Sequence, residues 1–163
     1  MNNPVLVLGI GNPQFTDDGA GIYAVRRARS RWQGGGVDFV EAEVGGYDLI
    51  HYLVGYQAVL LVDVAVTGIY EPGEIYAVDA PSLPATLASR DHGAGIGTAL
   101  AVGRSLNLKL PQRLDFLAIE AQDIRTPGDI PTTPVADAIR PAAEEILRIA
   151  REMMHQVHGL CMS

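Results

Sequence analysis

Val5-Leu6-Val7-Leu8-Gly9-Ile10-Gly11-Asn12-Pro13-Gln14-Phe15-Thr16-Asp17-Asp18-Gly19-Ala20-Gly21 decides how the chain folds. Its apolar run is short and rich in Val and Leu, the pattern of a strand buried on both faces. Gly9 and Gly11 let the backbone turn sharply at the carboxyl end of that strand. A loop then delivers two adjacent carboxylates, Asp17 and Asp18, to the start of a helix. Ligands of open parallel sheets bind beyond the carboxyl ends of the strands, so a carboxylate delivered there is placed for chemistry or for a metal.

Gly9-Ile10-Gly11 imitates the opening of a dinucleotide fingerprint, but the third glycine of that motif falls at position 14, where Gln14 stands. Two acids in the place of a pyrophosphate would also repel it. Helix capping is the plain alternative for the acid pair, because Asp is favoured at an N-cap and near the positive end of a helix. One Asp can cap while the other faces the cleft.

Working outward, Gly19 to about Trp32 has Ile22, Val25 and Ala28 at helical spacing, with Gly34-Gly35-Gly36 as the stop. Val37–Val44 alternates as a second strand, Gly45-Gly46 turns, and Leu49, Ile50 and Leu53 mark a short helix. Ala58–Val66 is the most apolar stretch and the candidate central strand. After the Pro72-Gly73 turn, Glu74–Val78 forms a strand with no intervening helix, so it is expected to run antiparallel to its neighbour.

Ala80–Asp91 reads as a loop, Gly95–Leu106 as a small-residue helix with Ile96, Leu100 and Ala101 inward, and Leu114–Ile119 as the last strand. Glu120–Thr133 is a long polar loop, of the kind that is usually functional. Pro134–Val157 closes the chain as an amphipathic helix capped by Thr133 and bent at Pro141, with Val135, Ile139, Ala142, Ile146, Ile149 and Met153 as its stripe. Alternating strands and helices give an α/β sandwich with a mostly parallel five-stranded sheet and one antiparallel strand. Neighbouring strands one and three, as in the flavodoxin-like order, would flank a switch-point crevice.

The chain of 163 residues suits one domain, since domains run to about 100–200 residues. A net charge of −7 with Lys109 as the one lysine lacks the basic face that a nucleic-acid partner requires. Arg26, Arg27, Arg29 and Arg31 fall on one helix and read as its solvated face. Cys161 is the one cysteine, so neither an intrachain disulfide nor a cysteine-built metal site is available, in keeping with a reducing compartment. Val5–Ile10 is too short for a signal-peptide core or a membrane span. The expectation is a single soluble, cytoplasmic domain over 1–163, with no membrane and no nucleic acid among its partners.

Asp63 interrupts the central apolar run. An ionised carboxylate in a buried strand is costly unless it is paired or binds a metal; at the strand's carboxyl end it would face the same crevice as Asp18. Hydrogen bonds from nearby loop amides are the bland alternative. Of the four histidines, His51 falls on the short helix and His155 and His158 in the frayed terminus, whereas His92 sits in Ser89-Arg90-Asp91-His92-Gly93-Ala94-Gly95 just before a helix. Two carboxylates and an imidazole form a hard-to-borderline ligand set that leaves positions open on a divalent metal. The chain has no Gly-x-Ser-x-Gly elbow and no His-Glu-x-x-His helix, and Ser89, Asp91 and His92 stand too close together to be credited as a triad.

At this point the chain resembles the [NiFe]-hydrogenase maturation proteases, which trim the C-terminus of the nickel-bearing large subunit. The likeness rests on an ordered set: Gly9-Ile-Gly-Asn-Pro with Asp17-Asp18-Gly19-Ala20-Gly21, the Gly45-Gly46 turn, Leu60-Leu-Val-Asp63, Pro72-Gly73-Glu74, His92-Gly-Ala-Gly95-Ile96 and Thr133-Pro134-x-Ala136. The resemblance implies a phosphorylase/hydrolase-like three-layer α/β/α fold and a nickel-engaging trio of Asp18, Asp63 and His92, serving as metal ligands and catalytic residues. It implies as partner the precursor of a [NiFe]-hydrogenase large subunit, which supplies the nickel. The sequence departs from many relatives at Arg90, where they carry Ser, and in the polar Gln14 and Thr16. A metallochaperone using the same trio, or a nucleotide switch on a flavodoxin-like fold, are the competing readings.

Overall fold

The computed structural model describes residues 3–43, 48–79 and 96–160. Its strands are β1 (Val5–Ile10), β2 (Val37–Ala42), β3 (Ala58–Ala65), β4 (Ile75–Asp79) and β5 (Arg113–Glu120), and its helices are α1 (Ala20–Arg31), α2 (Leu49–Leu53), α3 (Ile96–Ser105) and α4 (Thr133–Leu160). The strands form one sheet in the order β2-β1-β3-β5-β4. Pairings β1–β2, β1–β3 and β3–β5 are parallel, and β4–β5 is antiparallel. Strands one and three are neighbours, the condition under which their carboxyl ends share one edge. β4 leaves the Pro72-Gly73 turn without pairing to β3, and β5 occupies the slot between them.

Each strand divides its side chains between two cores. Val5, Val7, Leu60, Val62, Leu117 and Ile119 meet α1 and α4, whereas Leu6, Leu8, Val59, Leu61 and Phe116 meet the α2 and α3 side. That period-two division, with every residue of β1 and β3 buried, is why their sequences show no polar alternation. Full burial of one such side chain stabilises the fold by about 1.5–3 kcal/mol, and the sheet is therefore the rigid part of the molecule.

In α1, Ile22, Val25 and Ala28 face the core, while Arg26, Arg27, Arg29 and Arg31 are exposed. Arg26 pairs with Glu41 and Arg31 with Glu144, so the arginines form a solvated face. The α4 stripe is buried at Val135, Ala138, Ala142, Ile146, Ile149 and Met153, with Ile139 half-buried. The helix continues through Pro141, which lies on its exposed side. In α3 Ile96, Ala99 and Gly103 are buried and Leu100 is half-buried against the same core, whereas Ala101 is exposed, not inward. The stripe is set by Gly103, where a Cβ would come 2.8 Å from Ile50 Cδ1 and 3.1 Å from the Leu110 side chain. The Gly45-Gly46 turn, the Ala80–Asp91 loop, the His92 motif and Cys161 lie outside the described residues.

Candidate active site

Because β1, β3 and β5 are parallel, their carboxyl ends share one edge of the sheet. At the end of β1 the chain turns through Gly11, whose φ is +150° and where a Cβ would stand 2.0 Å from the Asp18 carbonyl oxygen. Only glycine fits that approach. The following residues fold back into a single 3-10 turn, Thr16–Gly19, that leads into α1. Asp18, 5% exposed, sits in this turn. Its Oδ2 accepts the Asn12 N–H at 3.0 Å, its carbonyl accepts the same N–H at 3.2 Å, and its own N–H donates to the Phe15 carbonyl at 2.9 Å.

Asp63 lies near the end of β3, 8% exposed and in register with Ala118 of β5. Its Oδ1 accepts the Val64 N–H at 2.7 Å. The first turn of α1 packs directly on this strand end: a Cβ on Gly21 would lie 2.7 Å from the Val62 carbonyl oxygen and 3.1 Å from the Asp63 Cα. Asp18 stands three residues before Gly21, so the helix entry bearing one acid abuts the strand bearing the other.

Asp17 does something different from the capping expected of the acid pair. The N-cap position of α1 is Gly19, and no side chain caps it. Asp17 instead turns away from α1 and is fully buried. Its Oδ2 accepts the Gln122 and Asp123 N–H groups at 2.9 and 2.8 Å, and its Oδ1 accepts the Thr132 N–H at 2.7 Å and the Thr132 hydroxyl at 2.9 Å. A buried carboxylate is stable when its oxygens are so occupied. Thr16 reinforces the junction by donating its hydroxyl to the Asp123 carbonyl at 2.6 Å, and Phe15 bridges to Pro127. The long loop after β5 is thereby fastened to the turn that carries Asp18. Thr132, not Thr133, precedes α4, and its carbonyl accepts the Ala136 N–H at 2.8 Å. The reason is the clamp, which recruits the Thr132 side chain.

Glu120 is a fourth buried acid, 2% exposed, which from sequence falls at the head of a polar loop. It ends β5, and its signal is the one Asp63 gives: a carboxylate closing an apolar strand. Its Oε1 accepts the Thr67 and Gly68 N–H groups at 2.7 and 3.0 Å, and its Oε2 accepts the Tyr76 hydroxyl at 3.0 Å. Burial, followed by the bond to this carboxylate, raises the Tyr76 phenol well above the ordinary tyrosine range.

Asp18 and Asp63 thus lie at the same edge of the sheet, on two elements that pack together, and His92 lies outside the described residues. His51, His155 and His158 are exposed on α2 and α4. Among the described residues no three His, Cys, Asp or Glu side chains form a group that could hold a metal ion. A pair of carboxylates at one sheet edge can bind a cation, orient water or take up a proton.

A family model described as hydrogenase maturation protease matches residues 22–149. The hydrogenase expression/formation protein HupD of Bradyrhizobium diazoefficiens is 26% identical over 156 residues, spanning 93% of this chain and 80% of that protein. The hydrogenase 2 maturation protease of Escherichia coli is 24% identical over 152 residues, 91% of each. Among solved structures, the hydrogenase maturating endopeptidase HybD from E. coli superposes with a TM-score of 0.74 at 25% identity, covering 93% of both chains.

Proposed function

This chain belongs to the hydrogenase maturation protease family, and from that premise we propose that it removes the C-terminal extension of a [NiFe]-hydrogenase large-subunit precursor, in the cytoplasm, after nickel insertion. Asp18, Asp63 and His92 are the groups that would engage the nickel carried by the precursor. Two carboxylates and an imidazole suit a borderline divalent ion, and ligation by them makes cleavage conditional on a loaded substrate. Nickel so held supplies a Lewis acid that polarises a carbonyl or acidifies a water. The chain's own part is to aim two anionic side chains from one edge of the sheet, bind the ion's open side, take a proton from the attacking water at a carboxylate oxygen, and return it to the leaving amine as the peptide bond breaks.

The observation that carries this reading is the contact of Gly21 with the Asp63 strand end, which brings the Asp18 turn to the same edge. In addition, no helix among the described residues is long and apolar enough to cross a membrane. The test is intact mass spectrometry of a nickel-loaded precursor incubated with Asp18→Asn, Asp63→Asn and His92→Gln. Each folded variant is expected to leave the precursor at full mass. Trimming at the parental rate by all three would reject the reading, and metal-dependent association without a mass change in the parent chain would turn it into a chaperone.

A further inference from the structure

The turn that leaves β3 just past Asp63 is built from beneath by a buried acid. Glu120 holds the Thr67 and Gly68 N–H groups on one oxygen and the Tyr76 hydroxyl on the other, while the Thr67 hydroxyl reaches both at 3.0 Å. Gly68 takes a φ of +69°, a conformation natural to glycine. Tyr70 stacks on Tyr76 with ring centroids 4.1 Å apart and planes 20° from parallel. The turn is therefore fixed in one shape.

Its outward side is apolar. Val66 is 58% exposed, Ile69 80% and Tyr70 41%. Holding such groups in water adds nothing to the stability of the free chain; the arrangement becomes favourable when an apolar partner covers it. The flank is acidic, with Glu71 and Glu74 next in sequence and no Lys or Arg between Arg31 and Arg90. A covering segment must then be apolar and free of net negative charge.

We propose that Ile69, with Val66 and Tyr70, grips an apolar, non-acidic stretch of the large-subunit precursor, and that Glu120 is the positioning residue that holds these side chains beside the cleavage rim. This rests on the reading of Asp18 and Asp63 as that rim. Steady-state cleavage of nickel-loaded precursor tests it. Ile69→Asp is expected to raise KM about tenfold or more, the worth of one apolar contact replaced by a charge, at nearly parental kcat. Ile69→Leu restores the parental KM, and Glu120→Ala raises KM in the same direction. Position 69 is exposed, so the Ile69 pair decides the matter even if Glu120→Ala fails to fold. A parental KM in Ile69→Asp overturns the proposal. Asp63→Asn assayed in parallel separates the two readings: loss of its cleavage leaves the rim standing, and full cleavage removes the rim itself.

Discussion

Gly21 packs on the Asp63 strand end so tightly that a Cβ would lie 3.1 Å from the Asp63 Cα and 2.8 Å from the Ile10 carbonyl oxygen. These are backbone atoms of the two fully buried strands and cannot turn aside. Gly21→Ala must therefore lift α1 away from β1 and β3, at a cost of about 1–3 kcal/mol. The lift also draws the Asp18 turn from Asp63, so we expect cleavage to fall further than the unfolded fraction explains. Thermal unfolding, with initial rates taken far below the transition, reads both; parental values in both would refute the packing argument.

Asp17→Asn should be strongly destabilising although it is nearly isosteric. An amide nitrogen at either oxygen position faces a backbone N–H that it cannot accept, from Thr132 on one side or from Gln122 and Asp123 on the other. Each buried donor left unmet costs about 1–3 kcal/mol. Thr132→Val keeps the backbone N–H and loses only the hydroxyl bonds, a penalty of about 1 kcal/mol. Urea midpoints should rank the parent chain above Thr132→Val, and Thr132→Val above Asp17→Asn, with unchanged m-values.

Tyr56 and Tyr76 should titrate late. Burial, followed by the bond to Asp38, pushes the Tyr56 phenol up to about 12, and burial beside Glu120 raises Tyr76 as well. A raised phenol pKa means that folding favours the neutral form. That contribution is complete below the ordinary tyrosine value of about 10 and is lost as the pH climbs through about 12 at Tyr56. Ultraviolet titration should show part of the six-tyrosine signal delayed in the folded chain and recovered in urea. Tyr56→Phe should flatten the alkaline loss of stability.

Pro141→Ala should stabilise the chain. Pro141 sits on the exposed side of α4 and lacks the N–H that would reach the Asp137 carbonyl. An interior proline is about 3 kcal/mol worse than alanine in a helix, and no packing is lost here, so a gain of about 1–3 kcal/mol is expected. A lower melting temperature would overturn this expectation.

What the sequence discloses is what local pattern controls. The doubly buried runs of β1 and β3, the α4 stripe and the acid at position 63 all follow from periodicity and from one polar residue in an apolar run. What it conceals depends on partners far along the chain. Asp17 looks like a cap because capping is the local rule for Asp, yet its donors come from residues 122–132. Glu120 gives the same signal as Asp63, but its purpose becomes visible only once β5 lies beside β3 and Thr67 comes within reach. The Thr132 hydroxyl is drawn to Asp17, a partner that no spacing rule anticipates.

The bond between Asp17 and Thr132 joins positions 115 residues apart. During synthesis the loop that carries Asp17 emerges early and must wait, unfastened, until residues 122–132 have left the ribosome and docked. Closing so long a span is entropically costly and belongs to the late stages of folding. A nascent polypeptide that stops short of residue 132 therefore lacks the bonds that fasten the Asp18 turn.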